Sequence, residues 1–222
     1  MKQDGVSSLA EAVDQVNEAA FFGRVLPEPK GLDLAAFIAS RQGKPRAYRR
    51  MFAPSEQDWQ GIRLFTGEEV TTRAAIAHIL SEESMRALAL LDVHDSSVRA
   101  AMESGREAAL GFLGAAPEEV AGKYCCGQCS AALLRASSSG AYGLREDRVA
   151  AGIEAIRKHR RDGRWGIYPF YYTLLALSEI ETDEAHQELG YARPACERAL
   201  KGRREGRFHE RRRALLERVL AR

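Results

Sequence analysis

Cysteine is scarce in this 222-residue chain: there are four, three of them crowded at positions 125, 126 and 129. Such crowding is not an extracellular disulfide framework, so reduced thiols and a cytoplasmic protein are expected. Long apolar runs are also missing. None approaches the ~20 residues that a membrane span needs, and residues 1–8 lack the apolar centre of a secretory signal. No membrane partner is expected. Charge of one sign is scarce as well. Lys and Arg number 33 against 31 Asp and Glu, a formal balance of +2. A wholesale polyanion binder is not indicated, which speaks against nucleic acid as a partner. The chain has no GxxxxGK[ST], no GxGxxG after a strand, no HExxH and no GxSxG. Common nucleotide, zinc-protease and serine-hydrolase readings therefore fall away, and no cofactor is predicted.

Strict apolar–polar alternation, the strand signal, is almost absent, while apolar residues recur at helical spacing throughout. A first helix over residues 8–22 would turn Leu9, Val13, Val16 and Ala20 to one face. A short one follows through Leu34, Phe37 and Ile38. Residues 41–67 read as a long loop with a helical turn at Trp59. Beyond, the spacing predicts one helix from Thr71 or Thr72 through Ile79. Another would start at Ser81, with Glu82 and Glu83 at its positive end. A third would run from Asp95 or Ser96 to Leu113. Further helices extend to the C-terminus, with breaks expected at 114–117, 137–143, 162–166, Gly190 and 202–206. The expected architecture is all-α, packed helix pairs in a single domain over 1–222. Residues 1–70 would form a looser lead-in and 71–222 the helical body.

Two segments, Cys129 to Leu134 and Phe170 to Leu177, are apolar almost all round and predict inner helices. Laying Ser130 on Thr173 gives an offset of 43 residues, suited to a helix-pair repeat. The run Asp162-Gly163-Arg164-Trp165-Gly166, followed by Pro169, Tyr172-Thr173 and Ala176-Leu177, resembles one repeat of the α/α-toroid superfamily of terpene cyclases and protein prenyltransferases. The resemblance covers about 20 residues, with an echo at 122–136. It implies inner helices around an apolar cavity, as a partial toroid or short solenoid. The cyclases' aspartate-rich motif and the transferases' zinc set are absent, so it implies no chemistry.

Three features are candidate sites. Cys129 opens a predicted helix, where unpaired N–H groups and the dipole would lower a thiol pKa, and Cys126 stands in CxxC spacing to it. These two are the candidate catalytic residues. A metal would need Cys125, Cys126, Cys129 and the distant Cys196. Neighbouring cysteine side chains diverge and the five histidines are scattered singly, so no metal site is predicted. The second feature is aromatic: Trp165, Tyr168, Tyr171 and Tyr172 could wall a pocket for a small apolar or aromatic ligand. If the offset reflects a repeat, that wall and Cys129 would line one pocket. Third, ten Lys or Arg face four acids between Glu197 and Arg222. On a helix, Arg207, Arg211, Arg218 and Arg222 fall within about 60° of arc, a stripe able to neutralise phosphates. The sequence reading is a binding or scaffolding module for an unidentified protein or small ligand. A small Cys129 enzyme and a nucleic-acid binder are the alternatives.

Overall fold

The computed structural model describes residues 6–113, 124–143, 146–202 and 205–222. The expected break at 114–117 and the Gly122-Lys123 flank lie outside them. Among the described residues the chain is mostly helical, with only two minimal β-ribbons. Ser8 caps α1 (Leu9–Phe21) by accepting the Glu11 N–H at 3.1 Å. Leu9, Val13 and Val16 face inward, whereas Ala20 is exposed and Ala19 is buried. Pro27 precedes α2 (Glu28–Ala39). The stretch to residue 70 holds short helical turns at 48–50 and 56–60 and the antiparallel ribbon β1 (Ile62–Arg63) with β2 (Glu69–Val70). These 65 described residues are packed in: Leu9, Leu34, Ile38 and Phe52 all belong to the hydrophobic core.

Residues 73–91 form one continuous helix, α3 (Arg73–Leu91), not two, and all of it from Ala75 to Leu88 is buried. Glu82 and Glu83 lie at its centre, not at a helix start. Local reading puts acids at a positive helix end; here side chains distant in sequence hold them in mid-helix, Arg135 and Tyr172 at Glu83 and Tyr142 at Glu82. Asp95 caps α4 (Ser96–Leu113), its Oδ1 accepting from the N–H groups of Ser97 and Val98 at 2.8 and 3.2 Å.

Two helices that the sequence marks as inner, α5 (Gly127–Ser138) and α7 (Phe170–Ser178), pack against each other. Each is followed by a more polar helix, α6 (Glu146–Arg157) and α8 (Asp183–Leu200). The break expected at Gly190 does not occur. Gly190 lies inside α8, four residues before Pro194, whose ring crowds that residue's carbonyl. Before α7, β3 (Arg160–Arg161) pairs with β4 (Arg164–Trp165) across Asp162-Gly163. Both turn residues have positive φ, 52° and 75°, as a primed hairpin turn requires. The last helix, α9 (Arg207–Leu220), packs on α7 and α8. No helix of the described residues is long and apolar enough to cross a membrane.

Candidate functional site

The interior is unusually charged. Glu83 accepts hydrogen bonds from Arg135 Nη1 at 2.6 Å, from Asn17 Nδ2 at 2.7 Å and from the Tyr172 hydroxyl. Arg135 also grips Glu179 through Nε and Nη2, both at 2.9 Å, and Arg86 reaches the same carboxylate at 2.8 Å. Two arginines and two glutamates thus balance across α3, α5 and the residue that caps the end of α7, with Asn17 of α1 and Tyr172 of α7 as neutral partners. Burial alone would raise Glu179, but Arg135 and Arg86 together hold it below the usual carboxylate range. Next to this network, Glu82 accepts from Tyr142 at 2.5 Å. Burial pushes its carboxyl up to about 7, against that hydrogen bond and with a further rise from Glu83. The sequence signal for this centre was the lone Arg135 inside an otherwise apolar segment, beside an acidic pair in an apolar helix.

The cysteines gather at the start of α5. Gly127 makes the turn possible, because a Cβ there would stand 2.3 Å from the Ile167 carbonyl oxygen. Ser130 fixes it from the other side. Its Oγ accepts the Tyr124 N–H at 2.8 Å and donates to the Cys126 carbonyl at 2.9 Å. Cys126 Sγ lies 3.4 Å from Cys129 Sγ, and Cys125 Sγ lies 3.1 Å from His78 Nδ1 on α3. The ligand atoms of His78, Cys125 and Cys129 all fall within 4.8 Å of one another. A bend at 125–126 brings the adjacent cysteines toward one centre, which an extended strand would not do. The ring of Tyr48 covers His78 at 3.8 Å between centroids, and Tyr124 flanks it at 4.9 Å. Burial, then Arg49, holds His78 below its ordinary value. The Cys129 thiol is moved opposite to the helix-terminus expectation. Burial, then Cys126, pushes it far up, because desolvation outweighs the helix end.

The aromatic wall does not assemble around that thiol. Trp165 is buried and donates to Glu188 Oε2 at 3.0 Å, while Tyr168 packs near His159. Tyr171 lies under the Arg212 guanidinium, and Tyr172 belongs to the charged centre. Trp165 belongs to β4, Tyr168 to the turn after it, and Tyr171 and Tyr172 are successive residues of α7 that point to different sides, so four aromatics close in sequence serve four environments. The arginine stripe is likewise spent within the fold. Buried Arg211 clamps Asp14 at 2.7 and 2.9 Å and also reaches Glu18. Arg207 pairs with Asp14, Arg218 donates to the Phe21 carbonyl, and Arg222 pairs with Glu181. The expected phosphate-facing stripe is a set of clamps from α9 onto α1 and the loop before α8.

A site the sequence reading did not foresee lies at the far end of α3. A groove of about 730 Å³ opens between the end of α1, the start of α2 and residues 90–95. Val16, Ala19, Gly31 and Leu91 are among its lining. Val25, Leu32 and Leu90 also line it, and these are three of the five large apolar side chains left exposed among the described residues. Glu28, Asp92 and Asp95 stand among its lining residues, while the one arginine or lysine in the lining, Arg24, faces Glu18 at 3.6 Å. Nothing local in the sequence announces this: Val25 and Leu32 lie beside Gly and Pro positions and read as loop. No known protein family, curated protein or solved structure matches the chain.

Proposed function

We propose that this chain is a binding module whose working surface is the groove beside Leu90, and that its partner is a basic amphipathic helix. The observation that carries the reading is the convergence of Val25, Leu32 and Leu90, exposed by 95, 45 and 41%, on one concave surface. Apolar side chains cluster in solvent where something covers them. A helix laid in such a groove offers apolar residues at i, i+4 and i+7. The carboxylates of Glu28, Asp92 and Asp95 favour lysine or arginine on its flanks. The burial of Cys129 and the scatter of the aromatics count against the thiol-enzyme alternative, and the internal pairing of Arg207, Arg211, Arg218 and Arg222 counts against the nucleic-acid one. For the body of the chain we infer a helix-pair repeat of the α/α-toroid kind. Its support is that α5 and α7 begin 43 residues apart, at Gly127 and Phe170. Four unpaired thiols fit a reducing compartment.

The test is fluorescence titration of a short labelled helical peptide with leucines at i, i+4 and i+7 and lysines between. Saturable binding at micromolar concentration is expected, lost in Leu90→Asp and weakened when the lysines become glutamates. Equal binding by Leu90→Asp and wild type would end the proposal.

A further inference from the structure

We propose that His78, Cys125, Cys126 and Cys129 form a binding site for a single thiophilic divalent ion, with zinc as the best fit. Four donors come from two segments far apart in sequence, a central helix and the turn that opens α5. A tetrahedral zinc with bonds of about 2.0–2.3 Å sets its ligand atoms roughly 3.3–3.8 Å apart. The two separations, 3.1 Å from His78 Nδ1 to Cys125 Sγ and 3.4 Å between the sulfurs of Cys126 and Cys129, lie just below that edge and at its lower end. The three atoms of His78, Cys125 and Cys129 lie within 4.8 Å of one another, and Cys126 joins them through its approach to Cys129, so side-chain rotation has to bring the fourth sulfur in.

Cys126 and Cys129 have the C-x-x-C spacing of structural zinc sites, and imidazole with thiolate is a donor set that suits zinc over calcium or magnesium. The two residues that shape the turn serve the same end. Gly127 allows the chain to press on the Ile167 backbone, and Ser130 ties Tyr124 to Cys126. Cys125 is exposed, which leaves the ion a way in. The aromatic rings of Tyr48 and Tyr124 shield the imidazole side. Four protein ligands leave no open position, so the ion is structural: it fastens the first turn of α5 to α3. Each thiol gives up its proton to solvent as its sulfur joins the ion, so binding releases protons and weakens as pH falls.

The experiment is titration of the reduced full-length protein with cobalt(II), followed by displacement with zinc. The expected result is the thiolate-to-cobalt charge-transfer band and tetrahedral ligand-field intensity, saturating at one ion per chain. Zinc should abolish the spectrum and raise Tm by roughly 5 °C at saturating metal. Affinity should fall at least tenfold in Cys129→Ser and His78→Ala, and stay unchanged in Cys196→Ser. Cys125→Ser alters an exposed residue and carries the test if the buried variants do not fold. A reduced protein that gives no charge-transfer band would overturn the proposal. So would a band that survives both His78→Ala and Cys125→Ser. The same holds if Cys126 and Cys129 join in a disulfide on purification and the re-reduced protein ignores cobalt.

Discussion

Along the first part of α3, His78 is buried beside Cys125, Cys129 and two tyrosine rings, whereas at the end of the same helix Leu90 is left in solvent beside Val25 and Leu32. The first region buries groups that water would solvate well, and the second exposes groups that water rejects. Between them, Glu82 and Glu83 sit in a helix buried from Ala75 to Leu88. Stability alone favours neither arrangement, since polar groups lose solvation on burial and apolar groups gain from it. The contrast teaches that the two ends await different occupants: an ion that pays for the buried ligands, and an apolar face that covers the groove. The charged centre holds both ends in register.

The largest effect should come from removing what the two ends share. Arg135→Met leaves Glu83 and Glu179 without their common partner and should destabilise by about 3–5 kcal/mol in urea unfolding. A loss under about 1 kcal/mol would mean the centre does not support the ends. Next in size is the pH dependence of the two buried carboxylates, which run in opposite directions. Glu82, raised to about 7, contributes stability that is fully present below its unfolded value near 4.5 and lost as pH climbs through 7. That loss is at most about 3 kcal/mol, and Glu82→Gln should flatten it. Glu179, lowered by Arg135 and Arg86, contributes stability present above its unfolded value and lost as pH falls. Unfolding curves that keep the same slope from pH 5 to 7 in wild type and Glu82→Gln would contradict the assignment.

Smaller effects separate the ends themselves. His78→Ala removes a buried ring packed at a tilt against Tyr48 and should cost about 1–2 kcal/mol even without metal, read from thermal unfolding in chelator. Tyr142→Phe deletes one hydrogen bond to Glu82 and should cost about 1 kcal/mol, shifting the Glu82 titration further upward. Leu90→Asp should change stability by no more than about 0.5 kcal/mol, because Leu90 is partly in solvent already. If Leu90→Asp destabilises as much as His78→Ala, the groove is core that happens to be thin, and the comparison collapses.

How far all this was legible follows from range. Helices α1, α4, α5 and α7 were readable because their signals are local: the 3.6-residue spacing of Leu9, Val13 and Val16, the cap at Asp95, the all-round apolar runs. The two ribbons were not, since two-residue strands are too short to alternate, and Asp162-Gly163 read only as a break between helices. The division of α3 at Ser81 came from reading Ser-Glu-Glu as a helix start, when Arg135, 52 residues on, is what donates to Glu83. The cysteine turn was visible as a cluster, and its tie to His78, 47 residues away, was not. Lone histidines carry no spacing. The groove left the faintest trace, for exposure of Val25 and Leu32 depends on what fails to pack over them.

The measurement that tests the account most directly is hydrogen exchange, resolved by fragment, on the protein alone, with the leucine–lysine peptide, and with zinc. The account predicts that the peptide protects the end of α1, the start of α2 and residues 90–95, and leaves 124–130 unchanged. Zinc should do the reverse, slowing exchange at 124–130 and around His78. Protection by neither ligand, or the same pattern from both, would contradict the claim that the two ends of α3 are separate binding sites.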